Sequence, residues 1–261
     1  MLVKVKSVAN VGLTSVPVTV EVDVAEMGFP GLTVVGLASK AVEEAKERVK
    51  TAIVNSGFEF PAKKITVNLA PADLPKDGAA YDLPIAMGIL AASGQLSIEK
   101  DVFEESLFFG EMSLDGSLRA TRGVLLVGLF ALDQKSKRIF VPVESANEAA
   151  VVVAIDVFPV RSLDGLCGHL MGEKKIEPLN KMPAEKLIEG VEAEFDMSEV
   201  AGQETAKRAL IISAAGVHNL LMWGPPGTGK TMLARALPGI LPPLSPEEAL
   251  EVTRVYSVAG M

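Results

Sequence analysis

The residues with the most chemistry in this chain are eight in a row: Gly224-Pro225-Pro226-Gly227-Thr228-Gly229-Lys230-Thr231. They follow the apolar run Asn219-Leu220-Leu221-Met222-Trp223, read as a strand, and precede Met232-Leu233-Ala234-Arg235-Ala236-Leu237, read as a helix. A first glycine, four residues and then Gly-Lys-Thr is the spacing of a phosphate-binding loop, and the strand-to-helix context is the one that loop requires. Gly224, Gly227 and Gly229 let backbone N–H groups curl inward around phosphates. The start of the helix adds a partial positive charge. Lys230 is placed to reach the β and γ phosphates, Thr231 to offer its hydroxyl to the magnesium ion that bridges them, and Met232 completes the segment on the helix side. An ordinary Gly/Pro turn is the bland alternative, and the complete match of positions and context argues against it. The residues therefore predict a site for ATP with Mg2+.

Turnover asks for more than this loop. The 30 residues after Thr231 contain no hydrophobic strand ending in the acidic pair that would hold the metal and polarise water. The sequence is read as part of a longer protein, with no complete catalytic set, weak nucleotide binding, little hydrolysis by itself, and disorder from about Met197 onward.

The elements that must carry the loop divide into two regions. Residues 1–170 alternate strand and helix patterns, whereas Gly172 to Asn180 loses periodicity and reads as a connection. The expected boundaries are a first domain over 1–170, a linker over 171–195 with a short helix from Lys181 to Val191, and a second domain over 196–261. In the first domain Met1 to Lys6 alternates, and Val18-Thr19-Val20-Glu21-Val22-Asp23-Val24 does so strictly, as half-buried strands do. Leu32 to Val35 and Lys64 to Leu69 are further strands around a helix from Ser39 to Asn55, whose stripe is Val42, Ala45, Val49, Ala52 and Ile53. A helix from Tyr81 to Ser93 is apolar almost all round, which predicts a buried core helix. Leu107 to Met112 and Ser117 to Arg119 read as the two arms of a hairpin around Asp115-Gly116. A helix over Gly123 to Leu132, strands at Arg138–Val141, Val151–Ala154 and Val157–Val160, and a helix from Leu163 to Leu170 complete an α/β reading.

Composition limits the function classes. A chain of 261 residues, 49% hydrophobic, can bury one or two cores. Its single Cys167 rules out a disulfide framework and suits a reducing cytoplasm. No apolar stretch reaches the roughly 18 residues that span a bilayer, so a soluble, cytoplasmic protein without membrane contact is expected. Residues 196–261 carry five Lys or Arg against six Asp or Glu, which leaves the first 195 residues with net charge −7. An acidic module by itself is a poor non-specific DNA binder. A ring of subunits can still gather basic loops in a channel. Cys167 and His169 are too isolated for a metal site, and His218 reads as a loop histidine.

The loop Pro75-Lys76-Asp77-Gly78-Ala79-Ala80-Tyr81-Asp82 and the later Gly110-Glu111-Met112-Ser113-Leu114-Asp115-Gly116 resemble the Lon-protease domain, which has the ribosomal-protein-S5-domain-2-like fold. In that family the first loop carries the nucleophilic serine, whose position falls on Ala80, and the lysine partner falls on Leu125. Alanine has no atom to attack a carbonyl, and leucine can neither take a proton nor stabilise charge. No peptidase activity is expected, and Lys76 and Asp77 read as a solvated turn. Ser39-Lys40 reads as a helix start.

Over its whole length the chain resembles the N-terminal half of the ComM/YifB family of magnesium-chelatase-like AAA+ ATPases. The marks are Val8-Ala9-Asn10-Val11-Gly12-Leu13, Gly28 to Leu37, Asn68 to Pro75, Val200 to Leu210, His218 to Leu221, and Leu237 to Val252 after the loop. The resemblance implies an S5-domain-2-like, Lon-like domain followed by the first part of a P-loop AAA+ domain. It implies that Val200, Ala201, Gly202 and Gln203 lie near the adenine. It also implies a homohexameric, DNA-associated motor for branch migration in recombination and natural transformation. The alternatives are a chaperone-like or regulatory ATPase acting on protein, or a magnesium-chelatase-type subunit. Ser245, with Pro246 at the first helical position, is expected to begin the last helix.

Overall fold

The computed structural model describes residues 1–36, 40–74, 76, 78–98, 100–182 and 195–260. It divides into two units, one of Met1–Pro183 with Val252–Met261 and one of Ala184–Glu251. Residues 252–261, expected in the second domain, fall in the first unit.

The first unit opens on a hairpin. Strands β1 (Leu2–Val11) and β2 (Thr14–Val24) pair antiparallel from Leu2↔Asp23 to Val11↔Thr14, turning through Gly12 at φ 60°. The alternation predicted for β2 is borne out, with Val18, Val20, Val22 and Val24 buried. After β3 (Gly31–Val35) and helix α1 (Lys40–Asn55), β4 (Lys64–Ala70) returns to pair antiparallel with β2 and parallel with β3. The resulting order is β1-β2-β4-β3. Ala45, Val49, Ala52 and Ile53 of α1 are buried as the stripe requires, while Ser39 lies outside the described residues. Helix α2 (Asp82–Ala92) is buried at every position, which accounts for its lack of a polar face.

A second sheet runs parallel in the order β5-β8-β9 (Ser106–Phe108, Arg138–Pro142, Asp156–Val160). The small hairpin of β6 (Glu111–Met112) and β7 (Leu118–Arg119) surrounds Asp115-Gly116 as expected, but its first arm is shorter than expected, because Leu107 and Phe108 pair in parallel with β8 instead. Helices α3 (Lys100–Glu105), α4 (Val124–Asp133) and α5 (Leu163–Leu170) complete the unit; α3 had no expectation. A row of stacked rings, Phe108 to Phe140 at 4.9 Å and Phe140 to Phe158 at 5.0 Å, crosses the three parallel strands inside the core.

One strand predicted for the first unit does not form. Val151 to Ala154 has strand composition, but Val151 ends a 3-10 helix, Ala146–Val151, and the chain continues as turn. The parallel neighbours β8 and β9 need a crossover between them, and this segment supplies it by packing on α4. The predicted linker also changes. Residues 172–182 bond to the first unit, and the helix expected over Lys181–Val191 falls almost wholly outside the described residues.

Gly36 closes β3 at a point where nothing larger fits. Its φ is +101°, and a Cβ there would stand 2.3 Å from the carbonyl oxygen of Leu69 on β4. Gly36→Ala therefore combines a left-handed backbone with a backbone clash. It is expected to cost more than about 2 kcal/mol, read as a lower thermal midpoint; an unchanged midpoint would show that the β3 end is free to move.

The second unit is helical around a small core of Met197, Val200, Leu210, Leu233 and Ala236. It holds helices Glu204–Gly216 and Lys230–Ala236 and the start of Pro246–Ala259. Ser245 and Glu248 cap each other reciprocally, Ser245 N–H to Glu248 at 2.8 Å and Glu248 N–H to Ser245 Oγ at 3.2 Å, so the predicted start of the last helix holds. The disorder expected from Met197 onward is replaced by these helices. The strand expected at Asn219–Trp223 is absent, and Leu221 and Trp223 are 92% and 96% exposed. A strand exists only with a ladder partner, and the described residues of this unit contain no other strand to offer one.

Candidate functional site

The glycine-rich loop turns back on itself at Gly227 (φ 82°) and Gly229 (φ 78°), conformations that a side chain would resist. Helix Lys230–Ala236 begins directly after it, anchored by Leu233 and Ala236 in the small core. This places Lys230 at the helix start with its side chain free to fold over the loop. Its Nζ donates to the carbonyls of Gly224 at 2.9 Å and Pro225 at 2.7 Å, and to Thr228 Oγ1 at 3.2 Å. Thr228 Oγ1 in turn donates to the Pro225 carbonyl at 3.0 Å. The ammonium group thus sits over the loop, held by neutral oxygens.

An open cavity of about 500 Å³ is lined by Pro226, Gly227, Thr228, Gly229, Lys230, Thr231 and Met232. Within the described residues, the N–H groups of Gly227, Gly229, Lys230 and Thr231 donate to no protein acceptor. Unpaired amides beside an ammonium form a cradle for an anion with several oxygens. The Thr231 side chain is exposed, and its hydroxyl bonds to none of the described residues.

The other predicted contacts divide. Gln203 joins the loop, its Nε2 donating to the Thr228 carbonyl at 3.4 Å. Gly202 and Gln203 both have positive φ, 65° and 60°, so the chain bends sharply beside the loop and leaves Ala201 to Gln203 exposed. Val200 differs, because its side chain is buried in the core with Leu210 and Leu233 and supports the turn from beneath. His218 is exposed, and its carbonyl accepts from Ser213 Oγ at 2.6 Å. Among the described residues no group of three or more His, Cys, Asp or Glu gathers to hold a metal. None of their helices is long and apolar enough to cross a membrane.

The Lon-like loop lies in the first unit. Ala80 lines a cavity of about 340 Å³ with Tyr81, Glu111 and Arg122, whereas Leu125 is fully buried in α4 and lines none of it. Both positions that the resemblance assigns to chemistry thus hold hydrocarbon, and of the two only Ala80 lines the cavity. Lys76 is not in a solvated turn: it is completely buried and its Nζ donates to the Pro71 carbonyl. Loss of water lowers its pKa, with the Asp73 charge acting the other way. Pro75 and Asp77 lie outside the described residues.

Beside that cleft is a feature that sequence reasoning missed. Arg48 on α1 grips the buried Asp82 through Nε at 2.9 Å and a second nitrogen at 3.1 Å, and Asp82 also accepts the Met112 N–H at 3.2 Å. The pair ties α1, α2 and β6 together. Burial pushes the Asp82 carboxyl up, against the pull of Arg48 and Met112, while the Asp82 bond raises Arg48. The two residues are 34 apart, and periodicity marks only which face of a helix is apolar, so nothing local announced the pair.

Two family models match the chain: subunit ChlI of magnesium chelatase over residues 20–145, and magnesium chelatase, subunit ChlI, over residues 196–261. A protein named YifB from Salmonella typhimurium is 46% identical over 252 residues, which is 97% of this chain and 48% of that protein. Competence protein ComM of Haemophilus influenzae is 44% identical over 256 residues, 97% of this chain and 49% of its own length. A Mycobacterium tuberculosis protein is 40% identical over 259 residues, 98% of this chain and 49% of its own. The chain spans about half the length of the curated relatives it matches.

Proposed function

This chain belongs to the ComM/YifB family of magnesium-chelatase-like AAA+ ATPases, and from that premise we propose that it supplies the nucleotide grip of an ATP-driven DNA branch-migration motor. The observation that carries the nucleotide assignment is the loop itself: unpaired amides, a folded-back lysine and a free threonine hydroxyl around one open cavity. In this reading Gly224 to Met232 hold the phosphates of ATP, with Lys230 leaving the Gly224 and Pro225 carbonyls to contact them. Ala201, Gly202 and Gln203 lie against the base, and Val200 sets their turn from the core. Thr231 would hold Mg2+, and the ion would supply charge neutralisation at the transferring phosphate.

The first unit supports an S5-domain-2-like reading through its four-stranded sheet, in which a helix links the parallel pair β3 and β4 and a buried helix follows. We assign it to assembly or partner contact, without peptidase chemistry, because Ala80 and Leu125 stand at the two reactive positions. Assembly into a cytoplasmic homohexamer that encloses DNA reconciles the acidic chain with a nucleic-acid substrate, since a ring concentrates its basic loops in the channel. The name of the Haemophilus relative, a competence protein, is in keeping with a role in DNA uptake and recombination.

The test uses the complete protein. ATP hydrolysis is expected to rise several-fold with single-stranded or branched DNA, with conversion of a branched substrate that needs ATP. Stimulation by unfolded protein alone, with branched DNA left unchanged, would overturn the DNA assignment in favour of a protein remodeller.

A further inference from the structure

The stretch after α5 has the composition of a connection, yet it is fastened along its length. Glu173 and Lys174 donate their N–H groups to the Gly168 carbonyl at 2.8 and 3.0 Å, Leu179 donates to Val157 on β9 at 2.8 Å, and Met182 donates to Ala150 at 3.0 Å. Ion pairs from Lys174 to Asp164 (3.5 Å) and from Lys181 to Asp156 (3.4 Å) flank the strap on the surface. Between them Ile176 packs against the main core, and its N–H donates to Nδ1 of His169 at 3.1 Å. Among the described residues this is the strap's one backbone bond to a side chain. The His169 ring packs beside two aromatic rings, its centroid 5.2 Å from that of Phe158 and 6.1 Å from that of Phe140.

That bond requires a particular charge state. Nδ1 accepts only with its lone pair free, so the imidazole must be neutral and carry its proton on Nε2. Protonation would set an Nδ1–H against the Ile176 N–H, donor facing donor. Burial disfavours the second proton, as do the charges of Arg138 on β8 and Lys175 on the strap, while the Lys174 backbone and Glu177 favour it. Asp164 on α5 and Asp156 at the start of β9 are engaged by Lys174 and Lys181. The imidazole is thus held below its ordinary value of 6.5. A pKa lowered on folding gives stability that is complete above the ordinary value and is lost as pH falls through the lowered one.

We propose that His169 is a proton-operated latch that fastens residues 173–182 to the first unit and, once protonated, releases them into the connection with the second. Ten residues of freed chain can reach up to about 33 Å, so the latch sets the length of that connection.

Hydrogen exchange of the labelled 261-residue chain, read amide by amide by NMR and corrected for intrinsic rates, tests this from pH 7.5 to 4.5. The Ile176 and Leu179 amides are expected to lose protection about tenfold or more as the His169 ring titrates, while Val20 and Val22 in the central sheet keep theirs. His169→Gln offers an acceptor that does not titrate, and should hold the strap at every pH. His169→Ala should leave it open throughout; if that variant does not fold, wild type against His169→Gln decides alone. An equal loss in His169→Gln, a protected strap after His169 has titrated, a ring that stays neutral to pH 4.5, or simultaneous loss at Val20 would each overturn the latch.

Discussion

Lys230→Ala in the complete protein is expected to lower ATP turnover by about 10²-fold or more, the scale of loss when one positioned charge on the transferring group is removed. The lysine is the group in the loop whose role changes on binding. In the structure its ammonium rests on the Gly224 and Pro225 carbonyls at 2.9 and 2.7 Å. Those neutral acceptors are readily exchanged for phosphate oxygens, because an anion offers the ammonium a full opposite charge where a carbonyl offers only a dipole. Alanine keeps Gly227 and Gly229 and the amides they expose, so nucleotide binding should weaken while the thermal midpoint stays near that of wild type. Steady-state hydrolysis with a melting curve on the same preparation checks both halves. A folded variant with wild-type turnover would remove the loop from the phosphate chemistry.

Asp82→Ala is expected to be the most destabilising single change in the first unit, by about 3 kcal/mol. Asp82 has no exposed surface and accepts three bonds, two from Arg48 and one from the Met112 N–H. Without it the Arg48 guanidinium and the Met112 amide are stranded beside α2. The figure is set at the low end for a broken buried pair because the Arg48 side chain keeps 23% of its exposure and can recover some water. In a unit of this size the thermal midpoint should fall by about 6–12 °C. Asp82→Asn keeps the shape and one acceptor, so its loss should be smaller. If both variants melted with wild type, the pair would hold nothing together.

Much of this arrangement was legible in the residues. The alternation in Val18 to Val24 fixed both the strand and its buried face, because a pleated strand points every second side chain the same way. The stripe on α1 and the unbroken apolar surface of α2 foretold partial and complete burial for the same reason. The phosphate loop was recognisable because its chemistry depends on consecutive backbone groups, so spacing along the chain is spacing in the site. Where a reading failed, a partner distant in sequence decided. Asn219 to Trp223 has strand residues but no ladder beside it, and Val151 to Ala154 gave way to the crossover between β8 and β9. Lys76 looks like a solvated turn residue until the fold buries it against the Pro71 carbonyl.

By itself, then, the sequence determined the elements whose signals are local: periodic strands and helices, the Asp115-Gly116 hairpin, the Ser245 cap, and the loop from Gly224 to Thr231. It also determined that Ala80 and Leu125 lack reactive atoms, since that is a property of residue type alone. Tertiary structure decided which distant groups meet. It set Asp82 against Arg48, Gln203 beside Thr228, Val200 into the core, and Ile176 onto His169. These are pairings of single donors and acceptors, each fixed by how two elements pack, and no period or spacing in a chain encodes them.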